Sequence, residues 1–239
     1  MPKVSIILPT YKRPKFLKRA VESVLAQDYK DWELVIINDG SKDEEPLILE
    51  YADKDSRIKY GFLHKNSGCV SIPRNIGIIH SSGEYICPLD DDIVMMPNRL
   101  GLSQCLLDVN PNLMLIYGAQ LRQNQKTKEF EVSNIPNYNP MNGWGVDNNQ
   151  IMYRRSVYDK VTMKFPRRAC DWELMKDIWT EYPNSFHHIP DVLSKYEWHG
   201  GNRSLDNSTK TKEIHPEDFQ DTIWWHRTIR HYNIDWTAK

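Results

Sequence analysis

A chain of 239 residues can bury one sizeable core, and a single domain with a sub-lobe fits it better than two independent domains. Its 31 Lys and Arg against 32 Asp and Glu leave a net charge of -1, which removes the electrostatic case for a nucleic acid or an anionic membrane and points to a small partner. Four scattered cysteines without CxxC spacing read as reduced thiols, no apolar run nears the ~20 residues of a membrane span, and the N-terminus lacks a signal-peptide cleavage site, so a soluble cytoplasmic protein is expected.

The first elements alternate. VSIILP (Val4 to Pro9) predicts a short buried strand, and Pro14 opens a helix with Phe16, Leu17, Ala20, Val21, Val24 and Leu25 on one face. ELVIIND (Glu33 to Asp39) predicts a second strand, followed by the turn GSKDEEP and a helix from Pro46 to about Asp53. RIKYGFL then predicts a strand, VSIPRNIGIIHSS a helix with Pro73 in its first turn, and EYICPL a fourth strand ending at Asp90. Such alternation implies an α/β fold around a mostly parallel sheet.

Ligands of these sheets bind beyond the carboxyl ends of the strands. Thr10 and Tyr11, Asn38 and Asp39, and the triple carboxylate Asp90 to Asp92 all fall there. Adjacent carboxylates repel, so the cluster either holds a divalent cation such as Mg²⁺ or Mn²⁺ or caps the next helix, whose first turn favours negative charge.

A helix is expected from Asn98 to Asp108, then LMLIYGAQLRQ and KEFEVS as paired strands around NQKTK. Residues 133–150, rich in Asn, Pro and Gly, predict a long loop over a site. IMYRRSVYDK returns to order, DWELMKDIWTEY predicts a helix beginning near Asp171, VLSKYEWHGGNRS a strand entering a Gly-rich turn, and Pro216 to Tyr232 a closing helix.

VSIILPTYKRPKFLKRAVESVLAQDYKDWELVIINDGSKD, PRNIGI and SSGEYICPLDDD together resemble the family 2 glycosyltransferases, nucleotide-sugar enzymes of the GT-A fold. The resemblance covers residues 3 to about 110 and continues more loosely through MYRRSVYDKV, CDWEL and YEWHGGNRS to about residue 204. It implies one domain with a nucleotide-sugar-binding half (1–110), an acceptor-side, catalytic half (111–205) and a tail (206–239).

The resemblance also implies roles. Pro9, Thr10, Tyr11 and Arg13 match the segment that meets base and ribose, Asp39 the residue that accepts from a uracil imide, and Arg74 a cation reaching toward the nucleotide end of the site. Asp90 and Asp91 would contact ribose or sugar, Asp92 a Mn²⁺ or Mg²⁺ ion with His199 on the same ion, and Arg203 the diphosphate. Asp171 matches the general base, although Cys170 stands where the family commonly has a Glu.

The expected activity is therefore metal-dependent, inverting transfer of a sugar from a nucleoside diphosphate, UDP favoured, to a hydroxyl of a glycan or glycoconjugate. A nucleotidyltransferase and a non-catalytic nucleotide-sugar-binding module remain the alternatives. Competing readings of single residues also stand open: Thr10 or Asp171 as a helix cap, Asp39 as an Asx turn with Gly40, and Arg74 as the partner of a surface acid.

Overall fold

The computed structural model describes residues 1–124, 126–161 and 170–198, and the backbone of the short strand 234–235. Four strands, β1 (Val4–Thr10), β2 (Trp32–Asn38), β3 (Ile58–Leu63) and β4 (Tyr85–Pro88), run parallel in the order β3-β2-β1-β4. β1 and β2 are buried on both faces, which is why their sequences are nearly unbroken apolar runs.

Alternate side chains enter two cores. Ile6 and Leu8, with Leu34 and Ile36, pack beneath α1 (Pro14–Leu25), α2 (Glu45–Lys54) and α4 (Arg99–Val109). Ile7, Val35 and Ile37 face the opposite way, toward α3 (Ser71–Ile79) and α5 (Cys170–Glu181). A helix–sheet–helix sandwich follows from the period of two. At Gly77 in α3, a Cβ would come within 2.7 Å of Ile7 Cγ2, so the glycine sets how closely α3 lies on the sheet.

The second half extends the same sheet with mixed polarity. β8 (Ile151–Arg154) pairs antiparallel with β4 and with β6 (Leu115–Gln123), while β7 (Phe130–Ser133) pairs antiparallel with β6. β9 (Phe186–Tyr196) runs parallel to β6 and pairs antiparallel with β5 (Ile93–Met95), and β10 (Ile234–Asp235) pairs antiparallel with β3. Among the described residues no helix is long and apolar enough to cross a membrane.

Among the described residues the expected helices and the strands through β4 are present to within about three residues, α3 ending at Ile79 rather than at Ser82. Three features differ. β9 begins at Phe186 rather than near Val192, because its pairing with β6 jumps from Ile189 to Val192 and leaves Pro190, which has no N–H to donate, in the irregularity. β5 has no counterpart among the expected strands, and the 133–150 loop contains 3-10 turns at Pro140–Asn142 and Asn148–Gln150. The expected helix from Pro216 to Tyr232 lies outside the described residues.

A buried polar network secures the end of the sheet opposite the strand carboxyl termini. Glu33 accepts from Ser5 Oγ at 2.7 Å, from the backbone N–H of Ser82 at 2.5 Å and of Gly83 at 3.1 Å, and pairs with Lys59 Nζ at 2.6 Å. Arg155 donates to the carbonyls of Ile78 and Gly83 and to Ser81 Oγ, locking the turn between α3 and β4.

Candidate active site

The site forms where β1, β2 and β4 end. Their loops are held at one level by bonds between neighbouring chains, Asp39 N–H to Thr10 O at 2.9 Å and Leu89 N–H to Ile7 O at 3.0 Å. Asp90 to Asp92 follow β4 and lead into β5, while α4 begins only at Arg99; capping of the next helix is therefore not what the triple carboxylate does.

The three carboxylates differ in their partners, although Asp91 and Asp92 share one. Asp91 is buried, accepts from Thr10 Oγ1 at 3.0 Å and meets Arg13 Nη1 at 3.2 Å. Loss of water pushes its pKa up to about 7; Arg13 and Thr10 oppose the rise and the neighbouring Asp92 and Asp90 add to it. Asp92 takes the same Arg13 Nη1 at 3.3 Å. Thr10 thus binds across the sheet and does not cap α1, whose N-cap is Arg13. The backbone N–H of Arg13 donates to Glu44 Oε1, and Lys12 before it takes a left-handed φ of 55° beside Tyr11.

Asp39 is buried and accepts from Ser67 N–H at 2.8 Å, Asn66 Nδ2 at 2.9 Å and Ser67 Oγ at 3.0 Å. The Asx turn belongs to its neighbour: Asn38 Oδ1 accepts from Ser41 N–H at 2.8 Å and Asn38 Nδ2 donates to Ser41 O at 2.6 Å. Gly40 makes this possible. Its φ is +80°, and a Cβ there would lie 2.3 Å from the Lys65 carbonyl carbon, so only glycine lets the 65–67 backbone close over Asp39.

Arg74, on α3, is 5 % exposed. Its Nη2 donates to Asp90 Oδ1 at 2.7 Å and its Nη1 to Asp171 Oδ1 at 2.9 Å, so its partners lie in the cleft rather than on the outer surface. Asp171 lies in the first turn of α5 and also accepts from Asn148 Nδ2 at 2.6 Å. Asn149 grips Asp90 twice, donating from Nδ2 to Oδ2 at 2.9 Å and accepting the Asp90 N–H at 2.7 Å.

Asn148 and Asn149 were not among the expected site residues. The signal was present: Asp147 accepts from Asn149 N–H and Gln150 reaches back to Asp147 N–H, a capping box spelled D-N-N-Q that fixes both asparagines on one turn. Arg122 on β6 braces it, donating to Asp147 Oδ2 at 2.8 Å and Gln150 Oε1 at 2.9 Å. Asp147 is held above the ordinary carboxylate range, first by loss of water and then by Asp171 and Asp90, with Arg122 pulling the other way.

Asp90, Asp91, Asp92, Asp147 and Asp171 share the cleft with Arg13, Arg74 and Arg122, an excess of carboxylates made of hard oxygen ligands. Carboxylate oxygens are the ligand type of a hard divalent cation that takes its remaining ligands from phosphate, but these five do not converge on one point. Among the described residues no three His, Cys, Asp or Glu form a metal-binding group. His199 and Arg203 lie outside the described residues.

The sequence profile of Glycosyl transferase family 2 matches residues 5–170. The chain belongs to this family. An uncharacterized glycosyltransferase of Rickettsia bellii (strain RML369-C) is 37 % identical over 132 residues, 55 % of this chain and 19 % of that protein. The chain therefore spans about a fifth of that relative's length.

Two solved structures share the fold. Staphylococcus aureus TarS 1-349 in complex with UDP-GlcNAc superposes with a TM-score of 0.71 at 20 % identity, covering 84 % of this chain and 60 % of that fragment. The mannosyltransferase PcManGT of Pyrobaculum calidifontis, in complex with GDP-Man and Mn²⁺, gives 0.61 at 16 % identity, covering 81 % and 56 %. The α/β architecture expected from the strand–helix alternation is the GT-A fold of these glycosyltransferases.

Proposed function

We propose that this family 2 glycosyltransferase moves a sugar, with inversion, from a UDP-sugar to a hydroxyl of a glycan or glycoconjugate. The observation that carries the reading is the single Arg74 guanidinium joining Asp90, at a strand end, to Asp171, on the helix of the second half. Residues 1–110 hold the sugar donor and residues 111–205 the acceptor and base.

In this mechanism Asp39 accepts the uracil imide N–H, the loop from Pro9 to Arg13 lies along base and ribose, and Asp90 orients ribose or sugar. Asp91 holds Thr10 and Arg13 in place beneath them. Arg74, Asn148 and Asn149 fix Asp90 and Asp171 relative to each other, which lowers the entropic part of the barrier.

The acceptor oxygen attacks the anomeric carbon from the face opposite the leaving diphosphate. As the new C–O bond forms, Asp171 takes the hydroxyl proton; the bond to the diphosphate breaks and its electron pair stays on the phosphate oxygen. Asp92, with His199 beyond the described residues, would hold Mn²⁺ or Mg²⁺, which when bound would neutralise charge on that diphosphate, and Arg203, also beyond them, would donate hydrogen bonds to it. The complexes of TarS with UDP-GlcNAc and of PcManGT with Mn²⁺ support a nucleotide sugar and a divalent ion.

Calorimetry with UDP, GDP and ADP in the presence and absence of Mn²⁺ tests the sugar-donor half. UDP is expected to bind best and to need the ion. Equal affinity for all three nucleotides sinks the uridine assignment.

A further inference from the structure

Trp144 is held in water. Its side chain is 69 % exposed, yet its ring stacks on Trp172 with centroids 5.6 Å apart and planes at 26°. Trp172 is itself pinned, because its Nε1 donates to Pro140 O at 2.7 Å. Leaving a large apolar ring in solvent forgoes the gain of burying it, and here the ring is fixed in place as well.

The flanking chain is shaped to present it. Gly143 adopts φ +123°, and a Cβ on Gly145 would come within 3.1 Å of Ile135 Cδ1 and 3.2 Å of Tyr138 Cε2. Tyr138 donates from its hydroxyl to Gly143 O at 3.2 Å and from its backbone N–H to Tyr117 Oη at 2.9 Å, tying the loop to β6.

The place of the ring in the chain points to its ligand. Trp172 directly follows Asp171, and Asp147 and Asn148 come shortly after Trp144 on the same loop. An aromatic plate fixed on Trp172, on a loop whose Asn148 donates to Asp171 at 2.6 Å, stands at the edge of the cleft and matches a pyranose, whose polarised C–H face lies on the negative face of a ring while its hydroxyls point sideways. An open-chain polyol has no such face.

We propose that the exposed face of Trp144 is a stacking subsite for a pyranose ring of the acceptor, placing that sugar's hydroxyl toward Asp171. The inference rests on the transferase reading for its link to Asp171, but the stacking is measurable without turnover. Trp144 then selects cyclic sugar acceptors over linear polyols.

The test titrates the protein, with UDP and Mn²⁺ present, with methyl β-D-glucopyranoside, methyl β-D-galactopyranoside, cellobiose and ribitol, following tryptophan fluorescence and saturation-transfer NMR. At least one cyclic glycoside is expected to saturate the wild type, ribitol to do nothing, Trp144→Ala to bind the glycoside about tenfold more weakly, and Trp144→Phe to recover part of the loss. Unchanged melting temperature and UDP affinity in Trp144→Ala separate a lost subsite from a lost fold.

Equal glycoside binding in wild type and Trp144→Ala overturns the proposal, as does ribitol matching the glycosides. So does a fluorescence response only to vesicles of phosphatidylethanolamine and phosphatidylglycerol. Trp144-dependent glycoside binding in a protein that ignores UDP keeps the subsite and removes the transferase reading; UDP binding without any glycoside response removes the subsite alone.

Discussion

Arg74 Nη1 lies 2.9 Å from Asp171 Oδ1, although the two residues are 97 positions apart, and the other arm of the same guanidinium reaches Asp90 Oδ1 at 2.7 Å. The planar fork suits this: two N–H groups diverge in fixed directions, whereas a lysine ammonium offers one point charge. Buried on α3, the cation makes the spacing of the two carboxylates a property of the folded core rather than of mobile loops.

Arg74→Lys should therefore keep the fold and lose geometry. With only one carboxylate served at a time, kcat/KM for transfer is expected to drop by ~10² to 10³, comparable to removing one preorganised donor from an active site. Arg74→Ala should also destabilise, by about 1 to 3 kcal/mol, because two carboxylates lose a shared cation while water still reaches them. Thermal melts beside initial rates read both effects. Wild-type rates in Arg74→Lys refute the bridge.

Asp171→Asn separates base from scaffold. Asn retains an oxygen to accept from Arg74 and Asn148, so UDP affinity should stay within a few-fold while transfer drops by ~10² to 10⁴. Asn148→Ala should act on the same step through Asp171, lowering kcat with little change in the KM for the nucleotide sugar. Near wild-type turnover in Asp171→Asn moves the base role to Asp147 or Glu173.

The placement of Thr10, Asp39 and Asp90 at one end of the sheet was legible because the apolar runs already mark the strand ends: VSIILP ends before Thr10, ELVIIN before Asp39 and EYICPL before Asp90. Local periodicity carries that information. The D-N-N-Q capping box marks the turn that holds Asn148 and Asn149, but the groups these and Arg122 grip lie in distant segments, which no local pattern announces. The pairing of β9 with β6 was hidden for a similar reason, since Pro190 breaks the pattern in sequence and is absorbed by a bulge in space.

Asp92→Ala should leave the melting temperature nearly unchanged, since it relieves the repulsion that Asp92 exerts on Asp91, and Arg13 Nη1 keeps its contact with Asp91 at 3.2 Å. The Mn²⁺-dependent part of UDP affinity should vanish while any Mn²⁺-independent binding stays. Isothermal titration with the ion and with a chelator distinguishes the two. Persistence of the Mn²⁺ effect places the ion elsewhere.

Asp39→Asn puts an amide NH₂ where the carboxylate now accepts from Asn66 and Ser67. Two donors then face each other, at a cost of about 1 to 3 kcal/mol. Discrimination between UDP and ADP should shrink with it. A variant that keeps full preference for UDP shows that the base is read by another group.

Glu33→Gln probes the opposite end of the sheet, where activity should not be touched directly. Burial raises the pKa of Glu33, but Lys59, the Ser82 N–H and Ser5 together outweigh that and hold it below the ordinary value of 4.5. The sign follows from linkage: a carboxylate whose folded pKa is depressed stabilises the fold above its unfolded pKa, and the contribution is lost as pH falls through the folded pKa. Gln matches the shape but offers Lys59 no charge and presents an NH₂ to a pocket of donors, so the variant should be less stable at pH 7 by about 2 to 4 kcal/mol. The gap between wild type and variant should hold down to about pH 4.5 and narrow below it, because only the wild type then binds more protons unfolded than folded. Urea melts across pH 3 to 7 measure it directly; a gap that stays constant through that range would mean that the charge of Glu33 contributes nothing and that its hydrogen bonds alone hold the α3–β4 turn.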